Sequence, residues 1–295
     1  MQLVIQSLSK TYPNGVQALK NVSLTINQGM FGLLGPNGAG KSSLMRTIAT
    51  LQEADAGSIF LDGLDVLKHK TEVRQILGYL PQDFGVYPKI TAEQMLDHIA
   101  QLKGIGNSSE RKNVVASLLE KVNLAKDKKK NLGTYSGGMK QRFGIAQALL
   151  GSPKLIIVDE PTAGLDPAER NRFYNLLSQI GENTIVILST HIVEDVRTLC
   201  SDFAIICDGE LMYTGQPDES VKDIEGKIYT KAIQKEEVLH YKENYTLIST
   251  QLKSGNLNIR IYSDTAPGNG FLASPAILED VYFNKVAGKM DAVTL

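Results

Sequence analysis

Residues 35–42 are the part of this sequence that most restricts its fold. They read Gly-Pro-Asn-Gly-Ala-Gly-Lys-Ser and match the phosphate-loop pattern of Gly, four residues, Gly, Lys and then Ser or Thr. The apolar residues 30–34 before the loop predict a buried strand, and Leu44 and Ile48 after it have helical spacing. A strand, a glycine-rich loop and a helix start in this order direct backbone N–H groups and the positive helix end at one point. The sequence therefore predicts a site for a nucleoside triphosphate with Mg²⁺.

The residues expected to contact the phosphates lie in the loop and just after it. They are Gly35, Pro36, Asn37, Gly38, Ala39, Gly40, Lys41, Ser42 and Ser43. The hydroxyl of Ser42 is also expected to bind Mg²⁺. The alternative is a glycine-rich turn without a ligand, and it is disfavoured because the pattern arises by chance in only roughly 1% of chains of this length.

A second candidate site segment is the acidic end of a predicted strand. Residues 155–160 read Leu-Ile-Ile-Val-Asp-Glu, so an apolar strand ends in two carboxylates. In a parallel sheet the carboxyl end of a central strand lies beside the phosphate loop. We therefore expect Asp159 to bind Mg²⁺ and Glu160 to polarise the attacking water. A strand that simply stops at a polar turn is the structural alternative.

A third segment, residues 135–142, reads Tyr-Ser-Gly-Gly-Met-Lys-Gln-Arg and predicts a helix with Ser136 as its N-cap. Gly137 and Gly138 at its start would each destabilise a helix interior by roughly 1 kcal/mol. A phosphate that approaches the exposed N–H groups and the Ser136 hydroxyl would explain them. A capped helix with a glycine-rich entry and no ligand is the structural alternative.

Together these motifs resemble those of the nucleotide-binding subunit of an ATP-binding cassette (ABC) transporter. The phosphate loop, the signature at residues 135–139, the acidic pair at residues 159–160 and His191 have the order and spacing of that family. The resemblance covers roughly residues 1–215. It implies a P-loop NTPase core that binds ATP and Mg²⁺ and hydrolyses ATP, with Glu160, His191 and Lys41 as the catalytic residues.

The resemblance also implies roles for residues outside the three segments. Gln82 would sense Mg²⁺ and couple to a membrane subunit, and Tyr12 would stack on adenine. Residues 163–166, including Asp166, would cross a dimer interface, and His191 would contact the γ-phosphate. Structural alternatives are a polar turn residue for Gln82, packing beside the next proline for Tyr12, and an N-cap for Asp166.

In the family two such chains pair head to tail, and each ATP lies between one phosphate loop and the other chain's residues 136–138. The implied partners are a second copy or a sibling ATPase and an integral membrane permease, on the cytoplasmic face of the cell membrane. The signature reads Tyr-Ser-Gly-Gly-Met instead of the usual Leu-Ser-Gly-Gly-Gln, and this variant and residues 276–282 resemble drug- and antibiotic-exporter ATPases. An exporter subunit is therefore favoured over an importer.

Two other functions remain as alternatives. A soluble ABC ATPase that acts on the ribosome or DNA is disfavoured because the chain has one cassette, no long heptads and a net charge of −1. That charge also argues against a nucleic-acid partner. A non-catalytic regulatory cassette is disfavoured by the intact Lys41, Asp159, Glu160 and His191.

The predicted fold is α/β with two unequal domains. Residues 1–216 would form the ATPase domain, with an N-terminal antiparallel β subdomain, a mostly parallel sheet and a helical subdomain at about residues 88–150. Residues 217–295 would form a small α+β domain, in which Ser274 and Pro275 predict a helix start. Because no run reaches the eighteen or so apolar residues of a spanning helix, we expect any link to a membrane to come through a partner.

Overall fold

The computed structural model describes residues 1–82, 85–162, 165–253, 256–287 and 289. Within them the strands are, in chain order, β1 (Gln2–Thr11), β2 (Gln17–Asn27), β3 (Gly29–Leu34), β4 (Ala56–Leu61), β5 (Leu64–Asp65), β6 (Leu77–Leu80), β7 (Leu155–Asp159), β8 (Ile185–Thr190), β9 (Asp202–Cys207), β10 (Glu210–Gly215), β11 (Ile228–Ile233), β12 (Thr246–Lys253), β13 (Asn256–Tyr262) and β14 (Leu272–Ala273). The α-helices are α1 (Lys41–Ile48), α2 (Lys70–Gln75), α3 (Ala92–Leu102), α4 (Ser108–Lys121), α5 (Gly137–Ala148), α6 (Pro167–Gly181), α7 (Val193–Leu199), α8 (Pro217–Asp223), α9 (Val238–Asn244) and α10 (Leu278–Val286).

The central element is a six-stranded sheet in the order β10-β9-β3-β8-β7-β6. Five of its strands are parallel, and only the edge strand β10 runs antiparallel to its neighbour β9. Every residue of β7 and of β8 is buried, as expected for strands covered on both faces. The carboxyl ends of β3, β7 and β8 therefore meet at one edge of the sheet, where the candidate residues lie.

The chain begins with an antiparallel sheet in the order β2-β1-β4-β5. The inward side chains of β1 and β2 alternate with exposed ones and join the same core cluster as Leu44, Met45 and Ile48 of α1. This packing fixes the antiparallel sheet against the helix that follows the phosphate loop. The predicted antiparallel start and mostly parallel core are confirmed.

Helices α3, α4 and α5 lie between β6 and β7 in the sequence, where the helical insertion was predicted. Thr91 and Gln94 form a capping box at the start of α3, and Gly104 with a φ of 87° follows its end. The buried Val115 and Leu119 of α4 pack in one cluster with Phe143 of α5. These contacts set the direction in which α5 leaves Ser136.

The C-terminal part contains a four-stranded antiparallel sheet, β12-β13-β11-β14, and α10. Ile259 and Ile261 of β13 are buried and alternate with the partly exposed Asn258, Arg260 and Tyr262. Helix α10 contributes Leu278 and Val281 to the same core cluster that contains the strands of the central sheet.

The predicted start of the last helix at Ser274 and Pro275 is wrong. The helix begins at Leu278, because Arg260 binds the preceding segment in an extended form: Nη1 donates to Ser274 Oγ at 2.9 Å, and Nη2 to the Pro275 carbonyl at 3.0 Å. Both polar groups are thus engaged by β13 and do not cap the helix. Among the described residues, no helix combines the length and the hydrophobicity required to cross a bilayer.

Candidate functional site

The phosphate loop joins β3 to α1 and is pressed against neighbouring backbone. Gly40 has a φ of 105°, and a Cβ atom there would lie 2.4 Å from the Ala18 carbonyl oxygen. A Cβ atom on Gly35 would lie 2.2 Å from the Ile206 carbonyl oxygen. Only glycine fits these two positions, since one needs a left-handed backbone and both need close approach. The loop is therefore held in place at both ends.

Lys41, the first residue of α1, is buried beneath the loop. Its Nζ donates to the carbonyls of Gly35 at 2.6 Å and Pro36 at 3.0 Å, and lies 3.9 Å from Glu160 Oε1. Burial lowers the pKa of this ammonium, and the nearby carboxylates of Glu160 and Asp159 act against that shift. Because this buried cation also lines the cleft, it is suited to a polyanionic ligand.

Asp159, the last residue of β7, is 5% exposed, and its Oδ1 has no hydrogen-bond partner within the described residues. Burial raises the pKa of this carboxyl group, whereas the hydroxyls of Ser189 and Ser42 and the charge of Lys41 oppose the rise. A buried carboxylate oxygen without a partner beside a serine hydroxyl fits the hard oxygen ligands that Mg²⁺ prefers. The donor set of the expected metal site is therefore compatible with that ion.

Glu160 stands where several candidate side chains meet. Its backbone has a φ of 46°, which is uncommon outside glycine, and its N–H donates to the Ser189 carbonyl at 3.0 Å. Oε1 lies 3.3 Å from His191 Nδ1, and Oε2 accepts from Gln82 Nε2 at 3.2 Å. The structure thus brings Lys41, Gln82, Glu160 and His191 together at the carboxyl edge of the sheet.

A cleft of about 450 Å³ opens above the loop. Its lining residues are Tyr12, Val16, Ala18, Asn37, Gly38, Ala39, Gly40, Lys41, Ser42, Ser43, Gln82 and Glu160. The Tyr12 hydroxyl bonds Ser43 Oγ at 3.0 Å and Gln52 Oε1 at 2.8 Å, so the ring is fixed at the cleft wall. Tyr12 does more than pack beside its proline, because its hydroxyl reaches the phosphate-loop helix.

The signature residues do not line this cleft. Ser136 is the N-cap of α5, and its Oγ accepts from Met139 N at 3.2 Å, as predicted. A Cβ atom on Gly137 would meet none of the described residues within 4 Å, whereas one on Gly138 would lie 2.6 Å from Glu169 Oε2. Contacts within this chain therefore explain the second glycine and leave the first without a structural reason.

Asp166 is the N-cap of α6, because its Oδ1 accepts from Glu169 N at 2.9 Å and Pro167 follows at the first helical position. The local interpretation of this residue is thereby confirmed. The other part of the expected interface segment, residues 163–164, lies outside the described residues.

Sequence reasoning missed the partners that support these residues. The carboxylate of Glu169 pairs with Arg142 of α5 at 2.8 Å and Arg172 of α6 at 2.7 Å, which ties the signature helix to α6. Val16, half of whose surface is exposed, adds an apolar wall beside Tyr12. The position of Val16 directly after the turn at residues 12–15 could have indicated that it lines the cleft. No sequence pattern indicated the ion pairs of Glu169.

Comparison with known proteins agrees with this geometry. Residues 19–163 match the sequence profile of a family described as ABC transporter. An uncharacterized ABC transporter ATP-binding protein of Bacillus subtilis is 36% identical over 78% of this chain and 76% of its own length. The linearmycin resistance ATP-binding protein of the same organism is 36% identical over 72% of this chain and 68% of its own.

A solved structure extends the likeness to three dimensions. A dimeric ATP-binding cassette in a post-hydrolysis state bound to ADP and Pi superposes with a TM-score of 0.67 and 27% identity. The match covers 72% of this chain and 98% of that one. The part of this chain that superposes therefore has the fold of an ATP-binding cassette.

Proposed function

This chain belongs to the ABC transporter ATP-binding family, and from that premise we propose that it hydrolyses ATP to drive transport through a separate membrane permease. The single observation that supports this proposal most strongly is the convergence on Glu160. Lys41, Gln82 and His191 all lie within 4 Å of its carboxylate, at the mouth of a cleft lined by the phosphate loop.

In the proposed reaction a water oxygen forms a bond to the γ-phosphorus of ATP. The bond from that phosphorus to the bridging oxygen breaks, and its electron pair stays on the departing ADP. Glu160 accepts a hydrogen bond from the water and then its proton, which passes to solvent, so the products are ADP, phosphate and a proton. His191, which lies beside Glu160, would donate a hydrogen bond to the γ-phosphate.

The remaining cleft residues bind and orient the triphosphate. Loop N–H groups and the start of α1 would hold the phosphates, and Lys41 would exchange its two loop carbonyls for phosphate oxygens. Ser42, Asp159 and Gln82 would hold Mg²⁺, which supplies charge neutralisation at the phosphates when bound. Tyr12 offers its ring to the adenine base.

A second subunit would complete the site. Ser136 and Gly137 do not line the cleft of their own chain, and within the described part of the chain a Cβ atom on Gly137 would have no contact within 4 Å. The similar cassette bound to ADP and Pi is dimeric, which supports a paired state of this chain. In the proposed pair, residues 136–138 of one subunit close over the nucleotide of the other. An ATP-dependent dimer of the purified chain would show that the second subunit is a copy of this chain. An ATP-dependent dimer that forms only with another ATPase would show that it is a sibling.

The proposed transport role rests on the relatives. One of them is a linearmycin resistance protein, which favours export of a drug-like compound over import. A permease partner would place this chain at the cytoplasmic face of the cell membrane. Co-purification of an integral membrane protein in mild detergent supports this part of the proposal, and a chain that purifies alone under those conditions contradicts it.

The ATPase proposal is tested with the purified chain and two glutamate variants. We expect Glu160→Gln to slow ATP turnover by about 10²–10⁴-fold because the proton acceptor is lost, while MgATP binding persists. This variant should also elute as an ATP-dependent dimer on size-exclusion chromatography. Glu225→Gln, which removes an exposed carboxylate after α8, is the matched control and should behave as the parent. Full turnover in Glu160→Gln would remove that residue from its proposed role.

A further inference from the structure

A buried carboxylate joins the two segments that carry Glu160 and His191. Asp195 lies in the first turn of α7 and is 0% exposed. Its Oδ2 accepts hydrogen bonds from the hydroxyls of Thr162 at 2.7 Å and Thr190 at 2.8 Å, and its Oδ1 accepts one from Tyr174. Since an unpaired buried carboxylate is costly, these hydroxyls are needed to hold it there.

The two threonines flank the proposed catalytic residues. Thr190 ends β8 directly before His191, and its Oγ1 also accepts from the backbone N–H of Ile192 at 2.9 Å. Thr190 and Ile192, the residues on either side of His191, are thus both connected to Asp195 through the Thr190 hydroxyl. Thr162 follows Glu160 by two residues, so the same carboxylate oxygen fixes the segment that leaves β7.

Tyr174 completes the arrangement from α6. Burial is the main cause that raises the pKa of its hydroxyl, and the hydrogen bond to Asp195 adds to the rise. Tyr174 therefore remains protonated and able to donate at neutral pH. Oδ1 of Asp195 is therefore bound from α6. Its Oδ2 binds the segment that follows β7 and the end of β8.

We infer that Asp195 is a positioning residue that sets the His191 imidazole against the Glu160 carboxylate by binding Thr190 and Thr162. This inference rests on the proposed ATP hydrolysis. The atoms concerned, His191 Nδ1 and Glu160 Oε1, are 3.3 Å apart and belong to residues that directly follow two different strands. A displacement of about 1 Å in such a pair can cost about 10²-fold in rate. Asp195 would therefore act on the chemistry without touching ATP.

The first test separates turnover from binding in variants that delete one hydroxyl each. We expect Thr190→Val and Thr162→Val to lower kcat about 10- to 100-fold while KM for MgATP changes less than about three-fold. Folded Asp195→Asn protein should show the same fall in kcat and the same small change in KM. Ser220→Ala is the control, and its kcat should be unchanged. It removes a buried hydroxyl that bonds the Gln216 carbonyl and the Tyr213 hydroxyl and, in the described part of the chain, has no hydrogen bond to Asp195. Loss of thermal stability without loss of kcat in the threonine variants would overturn the inference.

A double-variant cycle tests whether the effect runs through His191. If Thr190 acts by placing His191, then Thr190→Val should cost little further kcat in a His191→Ala background. A loss of the full single-variant size in that background would contradict the proposed route.

The ring signals of His191 in NMR spectra give a readout that needs no turnover. We expect Thr190→Val to shift or broaden these signals, assigned by their absence in His191→Ala, and Ser220→Ala to leave them in place. Unchanged signals in Thr190→Val overturn the positioning role even if the chain is an active ATPase. A parent protein without ATPase activity overturns the proposed function instead, while the ring signals still decide the placement of His191.

Discussion

Oε1 of Glu160 lies 3.3 Å from Nδ1 of His191, although one residue follows β7 and the other follows β8. The parallel register explains this, because Asp159 is paired with Ser189 in adjacent strands. Glu160 and His191 therefore both lie at the carboxyl edge of the sheet, each directly after its own strand. Their proximity depends on backbone pairing more than on any direct attraction between them.

His191→Ala tests the chemical importance of this pair. Loss of the imidazole removes a hydrogen-bond donor to the γ-phosphate, so we expect kcat to fall about 10²–10³-fold, as for loss of one donor that stabilises the transition state. Nucleotide affinity, measured with a fluorescent ATP analogue, should change far less, since the phosphate loop remains intact. His240→Ala on the exposed face of α9 is the control. Wild-type turnover in His191→Ala would show that the contact is structural.

Much of the site could be predicted because its residues stand at the ends of continuous apolar strands. Buried parallel strands such as β7 and β8 are apolar up to their last one or two residues, so the sequence locates them. Asp159 ends β7, and Glu160 and His191 directly follow β7 and β8. Local capping patterns were equally readable, as Ser136 and Asp166 illustrate. These features depend on neighbours within a few residues.

Features that depend on distant partners could not be predicted. Arg260, on a strand, delays the last helix by binding Ser274 and Pro275, and no local pattern indicates that contact. The contact of Gly138 with Glu169 also joins separate helices, and so do the hydrogen bonds to Asp195. In each case the sequence shows one partner without the other.

The two signature glycines should respond in opposite ways to alanine. At Gly137 a Cβ atom would touch no residue that the structure describes, so Gly137→Ala should stabilise the free chain by up to about 1 kcal/mol through helix propensity. At Gly138 it would displace Glu169 from Arg142 and Arg172, and overpacking of this kind costs about 1–3 kcal/mol. Urea unfolding of both variants measures the difference. Equal shifts would contradict the described packing of α5 on α6.

The cysteines give a pH-dependent prediction. Cys200 and Cys207 are free and buried, and burial raises the pKa of both thiols. The protonated thiols are favoured by the fold, so their contribution to stability is present below about pH 8.5 and is lost as the pH rises toward the folded-state values. We expect iodoacetamide to label the native chain slowly, with a rate that still rises above pH 9. A rate that levels off near the pKa of an ordinary thiol would contradict this.

The ion pair of Arg260 and Asp280 should be the main polar contact between β13 and α10. Asp280 is 1% exposed and accepts from Arg260 Nε at 2.8 Å and Nη2 at 2.6 Å. Arg260→Met would leave that charge buried without its partner, which costs about 3–5 kcal/mol. The pair of Lys227 and Asp264 is exposed and screened by solvent, so Lys227→Met should change stability little and is the matched control.

Hydrogen exchange locates the expected loss. In Arg260→Met the amides of β11, β13 and α10 should exchange faster, whereas β7 and β8 should keep their protection, because those strands are buried by other elements. Since α10 also contacts α7, which follows His191, a smaller change in α7 is expected as well. Equal effects of the Arg260 and Lys227 variants would mean that apolar packing alone holds α10 in place. Selective release of the C-terminal sheet with ATP turnover retained would instead establish the ion pair as its anchor.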